Sequence, residues 1–166
     1  LANKISAIGG TEDWRDQMKG RIMSLDDLKE RMFPEMVITE EMRAAERVFP
    51  VSTTSYYASL VKTPDFQDPV FAQIVPRGDE LRTPPWLVED PLLEKTFSPV
   101  PRLVHRYPDR ALIVATSACA SRCRHCTRKR VSASTQESAI SSSELQACCD
   151  YLRKNPAIDD ILISGG

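Results

Sequence analysis

Residues 111 to 116 read "ALIVAT", an apolar run without the polar alternation of a strand that has one wet face. Such a run fits a strand buried on both faces, and strands of that kind belong to parallel sheets covered by helices. A second candidate strand is "DDILISGG" (159–166). Between them, "SSSELQACCDYLRKNP" predicts a capped helix from about Ser142 to Asn155, ended by Pro156, with Leu145, Cys148, Cys149 and Leu152 along one face. Strand, loop, helix and strand in this order predict a parallel crossover unit over residues 102–166. Two parallel strands are not a finished sheet. The expected fold class is therefore α/β, the start of a parallel (β/α) barrel or partial barrel, in the N-terminal part of a longer protein.

Residues 1–101 predict a different texture, an α-helical N-terminal region followed by a Pro-rich wrapping segment. In "SLDDLKERM" (24–32), Ser24 caps a helix with Asp27 three positions on, and in "TEEMRAAERVF" (39–49), Thr39 precedes a stripe of Met42, Ala45 and Phe49. "SYYASL" (55–60) predicts another short helix, and Trp14, Phe49, Tyr56 and Tyr57 are expected as packing anchors. Most of the twelve prolines fall between Pro50 and Pro101, which excludes long helices and central strands there.

No apolar run approaches the ~20 residues of a membrane-spanning helix. The opening "LANKISAIGG" lacks the apolar core of a signal peptide, so a soluble, cytoplasmic protein with no membrane partner is expected. The net charge of −1 conceals an asymmetry. Between Arg102 and Arg130 there are eight Lys or Arg against one acid, Asp109, while the remaining sequence has fourteen bases and twenty-two acids. A basic block in an acidic chain predicts an anionic ligand, a phosphate or a nucleic acid.

The block overlaps "CASRCRHCTRKR" (119–130). Five cysteines, an odd number without secretory features, do not suggest a disulfide framework. Cys148 and Cys149 are expected in the core. Cys119, Cys123 and Cys126 have the spacing C-x3-C-x2-C, which a helix would stretch over about 10 Å of its axis. Converging sulfurs therefore require a loop, placed here after a strand's C-terminal end, where parallel α/β folds hold their ligands. Three thiolates leave one iron of a [4Fe–4S] cluster open. Zinc, with His105 or His125 as fourth ligand, is the alternative.

The three-cysteine spacing with His125 before the last cysteine resembles the signature of radical S-adenosylmethionine enzymes, and "SGG" (164–166) is similar to their Gly-rich methionine-binding motif. Over "EDPLLEKTFSPVPRLVHRYPDRALIVATSACASRCRHCTRKR" (89–130), with "EDWRDQM", "SYYASL" and "DFQDPV" upstream, the chain resembles the lysine 2,3-aminomutase family. The resemblance implies three cofactors: a [4Fe–4S] cluster, S-adenosylmethionine and pyridoxal 5′-phosphate. Cys119, Cys123 and Cys126 would hold three irons, and the fourth would take S-adenosylmethionine. His125 would lie near its adenine, and Ser164, Gly165 and Gly166 would border its methionine end. Arg106 and Arg110 would contact the pyridoxal phosphate group, with Tyr107 beside the ring. Arg128 would clamp the substrate's α-carboxylate.

The implied reaction is a 2,3-amino shift, an isomerisation of L-lysine to β-lysine. Glutamate, arginine and protein-bound lysine remain open as substrates, although "CTRKR" is closer to the free-lysine enzymes. The family's Schiff-base lysine falls beyond Gly166, so no residue here takes that role. An electron donor and a homo-oligomer are implied as well. Two rivals stand beside this reading. A non-catalytic metal module binding nucleic acid would call for aromatics among the bases, and Tyr107 is the one aromatic between Arg102 and Arg130. A radical enzyme that modifies RNA or protein would have no use for "HRYPDR".

Overall fold

The computed structural model describes residues 13–129 and 138–165; Gly166, one of the three residues assigned to the methionine end, lies outside them. The described residues form two compact units. One comprises the residues up to Pro84 together with Ala120–Cys126, and the other Pro85–Cys119 with the residues from Thr127 onward.

Short capped helices build the first unit: α1 (Trp14–Lys19), α2 (Leu25–Arg31), α3 (Glu40–Val48), α4 (Ser55–Ser59) and α5 (Pro69–Ile74), followed by a 3-10 turn at Gly78–Leu81. Asp13, Ser24, Thr39, Thr54 and Asp68 each accept a first-turn backbone N–H, which would otherwise lack a partner. Helices this short are not stable alone, so burial must hold them. Leu25 and Leu28 of α2, Met42 of α3, and Phe71 and Ile74 of α5 pack with Ile22, Phe33, Val51 and Val75 into one core.

The expected caps at Ser24 and Thr39 and the Met42–Ala45–Phe49 stripe are all present, the stripe buried along its length. Trp14 and Tyr56 correct the expectation of packing anchors, being 65% and 52% exposed. The reason is local, since α1 buries no residue and Trp14 lies under the Arg15 guanidinium at 4.5 Å. In the Pro-rich segment, Pro69 occupies the first turn of α5, where its missing N–H costs nothing.

In the second unit, strands β1 (Leu103–Tyr107), β2 (Arg110–Thr116) and β3 (Asp160–Gly165) form a sheet in the order β1-β2-β3. β2 and β3 are parallel, and α6 (Ser142–Lys154) lies between them in sequence, as expected. Ser141 and Glu144 cap α6 reciprocally, and Asn155 ends it. β1 was not expected. It pairs antiparallel with β2 through a tight turn at Pro108–Asp109, with Tyr107 opposite Arg110, so "HRYPDR" is a hairpin and not a leader to the first strand.

Side chains alternate across a sheet, and Leu103, Ala111 and Ile113 share one face with Cys148 of α6. Val104 pairs with Leu112, and Leu112 with Leu162, so these three share the other face. Two expectations of burial change. Cys148 is buried, but Cys149 is half-buried and Leu145 exposed. β3 was expected to be covered on both faces, yet Ile163 is 78% exposed, because among the described residues β3 is an edge strand paired with β2 alone. No described helix is long and apolar enough to cross a membrane.

Candidate functional site

On the sheet face bearing Val104, Leu112 and Leu162, the second unit has a cavity of about 300 Å³. Arg106, Tyr107, Arg110 and Arg128 all line it, with Glu94 among them. Four residues assigned by resemblance to pyridoxal phosphate and to a substrate carboxylate thus meet in one place. The hairpin is the reason: a two-residue turn puts Tyr107 beside Arg110, and irregular pairing between Val104 and Tyr107 lets consecutive residues of β1 reach one pocket.

The three guanidiniums are held differently. Arg106 Nη1 donates to the Leu92 carbonyl at 3.2 Å, and the group lies 5.7 Å from the Phe97 ring and 5.8 Å from that of Tyr107. Arg110 forms a fork with its neighbour Asp109, at 3.1 and 2.8 Å, and hydrogen bonding from Arg110 holds the Asp109 carboxyl below the usual carboxylate range. Arg128 donates from Nε to Glu94 Oε1 at 2.8 Å, with Nη2 at 2.7 Å from the same oxygen. Glu94 is buried, and its turn is prearranged: Asp90 accepts the N–H groups of Glu94 and Lys95, and Ser98 donates to the Glu94 carbonyl. A carboxylate therefore sits on the arginine assigned to a substrate carboxylate. Glu94 was missed from sequence because it lies 34 residues from its partner in irregular chain.

Cys119 ends its stretch of the second unit, whereas Cys123 and Cys126 belong to the segment that packs with the first. All five cysteines are reduced, and Cys119, Cys123 and Cys126 are half-buried. The Cys126 N–H donates to the Cys123 carbonyl at 3.0 Å, closing a turn between these two. Burial, and then the neighbouring Cys126, push the Cys123 thiol above its ordinary pKa. Three reduced thiols on one loop suit an iron–sulfur cluster as a donor set. Among the described residues, however, no three His, Cys, Asp or Glu side chains converge on a common point. Ligation itself draws such groups together, because metal binding is coupled to deprotonation and folding.

His125 is exposed, Ser164 half-buried and Gly165 exposed at the end of β3. His105, the other candidate for a zinc ligand, hydrogen-bonds through Nδ1 to the Tyr151 hydroxyl at 2.8 Å on the α6 side of the sheet. Tyr57 packs against the core of the first unit, as expected, and has polar neighbours besides. Its phenol donates to Gln73, and burial, followed by the charge of Cys123, raises its pKa. Nothing in the spacing of "SYYASL" signalled that Tyr57 lies near a cysteine.

The chain is similar to several curated proteins along nearly its whole length. It is 40% identical over 156 residues to the L-lysine 2,3-aminomutase of Clostridium subterminale, covering 93% of this chain and 37% of that protein. It is 41% identical over 170 residues to the L-lysine 2,3-aminomutase of Methanococcus maripaludis, covering 98% and 39%. With the glutamate 2,3-aminomutase of Clostridioides difficile it is 33% identical over 166 residues, covering 98% and 39%. The chain thus spans about two fifths of the length of these relatives. No family model matches it.

Proposed function

The chain belongs to the lysine 2,3-aminomutase family along the stretch it shares with these relatives, and from that premise we propose that the protein is a radical 2,3-aminomutase acting on a free α-amino acid, L-lysine first. The observation that carries the proposal is that Arg106, Tyr107, Arg110 and Arg128 together line one cavity. Its volume of about 300 Å³ is at the lower end of the range for small-ligand sites. Three guanidiniums around an apolar floor suit a ligand with a phosphate, a flat ring and a carboxylate.

In this reading, Arg106 and Arg110 hold the phosphate of pyridoxal 5′-phosphate, and Tyr107 packs by its ring. Arg128 fixes the α-carboxylate, and with it the position of the β-carbon. Cys119, Cys123 and Cys126 ligate a [4Fe–4S] cluster, and Ser164 and Gly165, with Gly166, border bound S-adenosylmethionine. When bound, the cluster and S-adenosylmethionine supply the hydrogen-abstracting radical and pyridoxal phosphate the amine carrier. The chain's own residues bind, orient and keep water from the reacting atoms. The proposal extends to the fold, with 102–166 as the opening β-loop-α-β unit of a (β/α) barrel. It also extends to a cytoplasmic homo-oligomer served by an electron donor.

The test is an anaerobic assay of the reconstituted full-length protein with L-lysine, L-glutamate, L-arginine, lysinamide and a lysine-bearing protein, with β-amino products read by mass spectrometry. L-Lysine should turn over and lysinamide should fail, because a neutral amide cannot form the charge-assisted pair that a carboxylate forms with the half-buried Arg128 guanidinium, which Glu94 engages through one oxygen only. Turnover of lysinamide at the rate of lysine would overturn the carboxylate clamp.

A further inference from the structure

Two arginines of the cysteine loop are turned into the protein. Arg122 is 1% exposed and Arg124 7% exposed, and both pack within the helical unit. Arg124 Nε donates to both carboxylate oxygens of Glu80, at 3.0 and 3.1 Å, and Nη2 donates to Oε2 at 2.7 Å. Nη1 donates to the Phe49 carbonyl at 2.8 Å, and the guanidinium lies 4.6 Å from the Phe49 ring. Every guanidinium nitrogen is therefore bonded to protein, which leaves the planar group one orientation. The backbone is pinned as well, with the Arg124 N–H on the Gln73 carbonyl at 2.9 Å and the Arg122 N–H on the Ser52 carbonyl at 2.8 Å.

Glu80 is itself held in place. It lies in the 3-10 turn, where Oε1 accepts the Arg77 N–H at 2.9 Å. That turn approaches α3 so closely that a Cβ on Gly78 would come within 2.9 Å of Glu41 Cβ. The end of α3, the 3-10 turn and α5 therefore converge on the residue directly after Cys123. Stability alone does not account for a buried ion pair at this point, because well-packed apolar residues of the same volume serve a core as well or better. Its value lies in orientation, since a fork pairs a carboxylate in one geometry and a lysine cannot reproduce it.

We propose that Arg124, clamped by Glu80 and the Phe49 carbonyl, is the positioning residue that presents Cys123 and Cys126 for ligation, so that the helical unit is the platform of the cluster loop. The proposal rests on the cluster reading above. It also has an electrostatic consequence: Glu80 neutralises a cation beside the ligand loop, so removing the carboxylate alone leaves a net positive charge that favours the reduced cluster.

The experiment uses the full-length protein as wild type, Glu80→Gln, Arg124→Lys and Cys123→Ala. Labelling of Cys123 and Cys126 by iodoacetamide before cluster reconstitution, followed by mass spectrometry, reads the clamp without iron, and buried Cys148 serves as reference. Both clamp variants should label these two thiols roughly tenfold faster or more, the equivalent of ~1.4 kcal/mol of local opening, with circular dichroism unchanged. After reconstitution they should hold less iron, and Glu80→Gln should show a more positive midpoint potential than wild type. Wild-type labelling, iron and potential in both variants would overturn the clamp. Retention of iron in Cys123→Ala would instead overturn the cluster reading, and the labelling would still judge the clamp. If either variant loses its fold, Glu80→Asp keeps the charge and shortens its reach. It should label at an intermediate rate, and a wild-type rate would count against the clamp.

Discussion

Arg124 and Arg110 belong to one basic stretch and have opposite surroundings. The Arg124 side chain is 6% exposed, and its carboxylate partner comes from 44 residues away. Arg110 is 50% exposed, and its partner is the adjacent Asp109. The first has exchanged all its water for protein, whereas the second keeps solvent and a local partner that an incoming anion can displace. A buried guanidinium stripped of its partner is a large loss, and an exposed pair is screened and contributes little. One run of charge thus does two kinds of work. What separates them is how many of the five donors the protein has already filled.

The largest expected effect tests the buried side of that contrast. Arg124→Met should lower stability in chemical denaturation by about 3 kcal/mol, the low end for a broken buried pair, since the half-buried Glu80 loses its cation but keeps the Arg77 N–H. Arg110→Met should leave the denaturation midpoint where it is. Equal losses in the two variants would erase the distinction. Next comes the ligand side: Arg110→Ala should weaken pyridoxal phosphate binding roughly ten- to a hundredfold in a cofactor titration, with iron content unchanged. Full occupancy at limiting cofactor would remove Arg110 from the site.

A smaller effect contrasts Asp68 with Asp109. Burial raises the Asp68 pKa, but four backbone N–H groups, from Phe71, Lys62, Thr63 and Val70, outweigh it and bring the group below 3.8. A depressed folded pKa contributes stability above the unfolded value, and that contribution is lost as pH falls through the folded one. Asp68→Asn should therefore cost about 1 kcal/mol at neutral pH and flatten the acid limb of the stability profile. Asp109→Asn should flatten that limb much less, because its lowered carboxyl sits in an exposed, solvent-screened pair. The smallest effect is an expected absence of one: Cys149→Ala should keep the cluster's absorbance, and Cys123→Ala should lose it. Equal loss in both would undo the division between core and ligand cysteines.

Local signals carried much of the fold. Ser24 and Thr39 announce helices because a cap acts within three residues, the face of Leu145, Cys148 and Leu152 announces another, and "ALIVAT" and "DILIS" announce strands by composition. β1 escaped because "LVHRY" mixes apolar and charged residues and ends at a proline, which reads as loop until β2 is there to pair with it. At the site, the cysteine loop and the four pocket residues were legible from motifs. Glu94, Glu80 and the inward turn of Arg122 and Arg124 were not. Their partners are tens of residues away, and a charge pattern along one segment is silent about which charges the fold will bury.

The close approach of β2 and β3 has a bearing on how this protein can vary. A Cβ at position 165 would come within 2.7 Å of Thr116 Cγ2 and 2.9 Å of the Thr116 carbonyl oxygen, and backbone cannot swing aside as a flexible side chain can. In a saturation library at residue 165, selection for folded protein should therefore return almost only glycine. A smaller residue at 116 would remove the Cγ2 contact and leave the backbone oxygen in the way, so no change at 116 alone opens position 165.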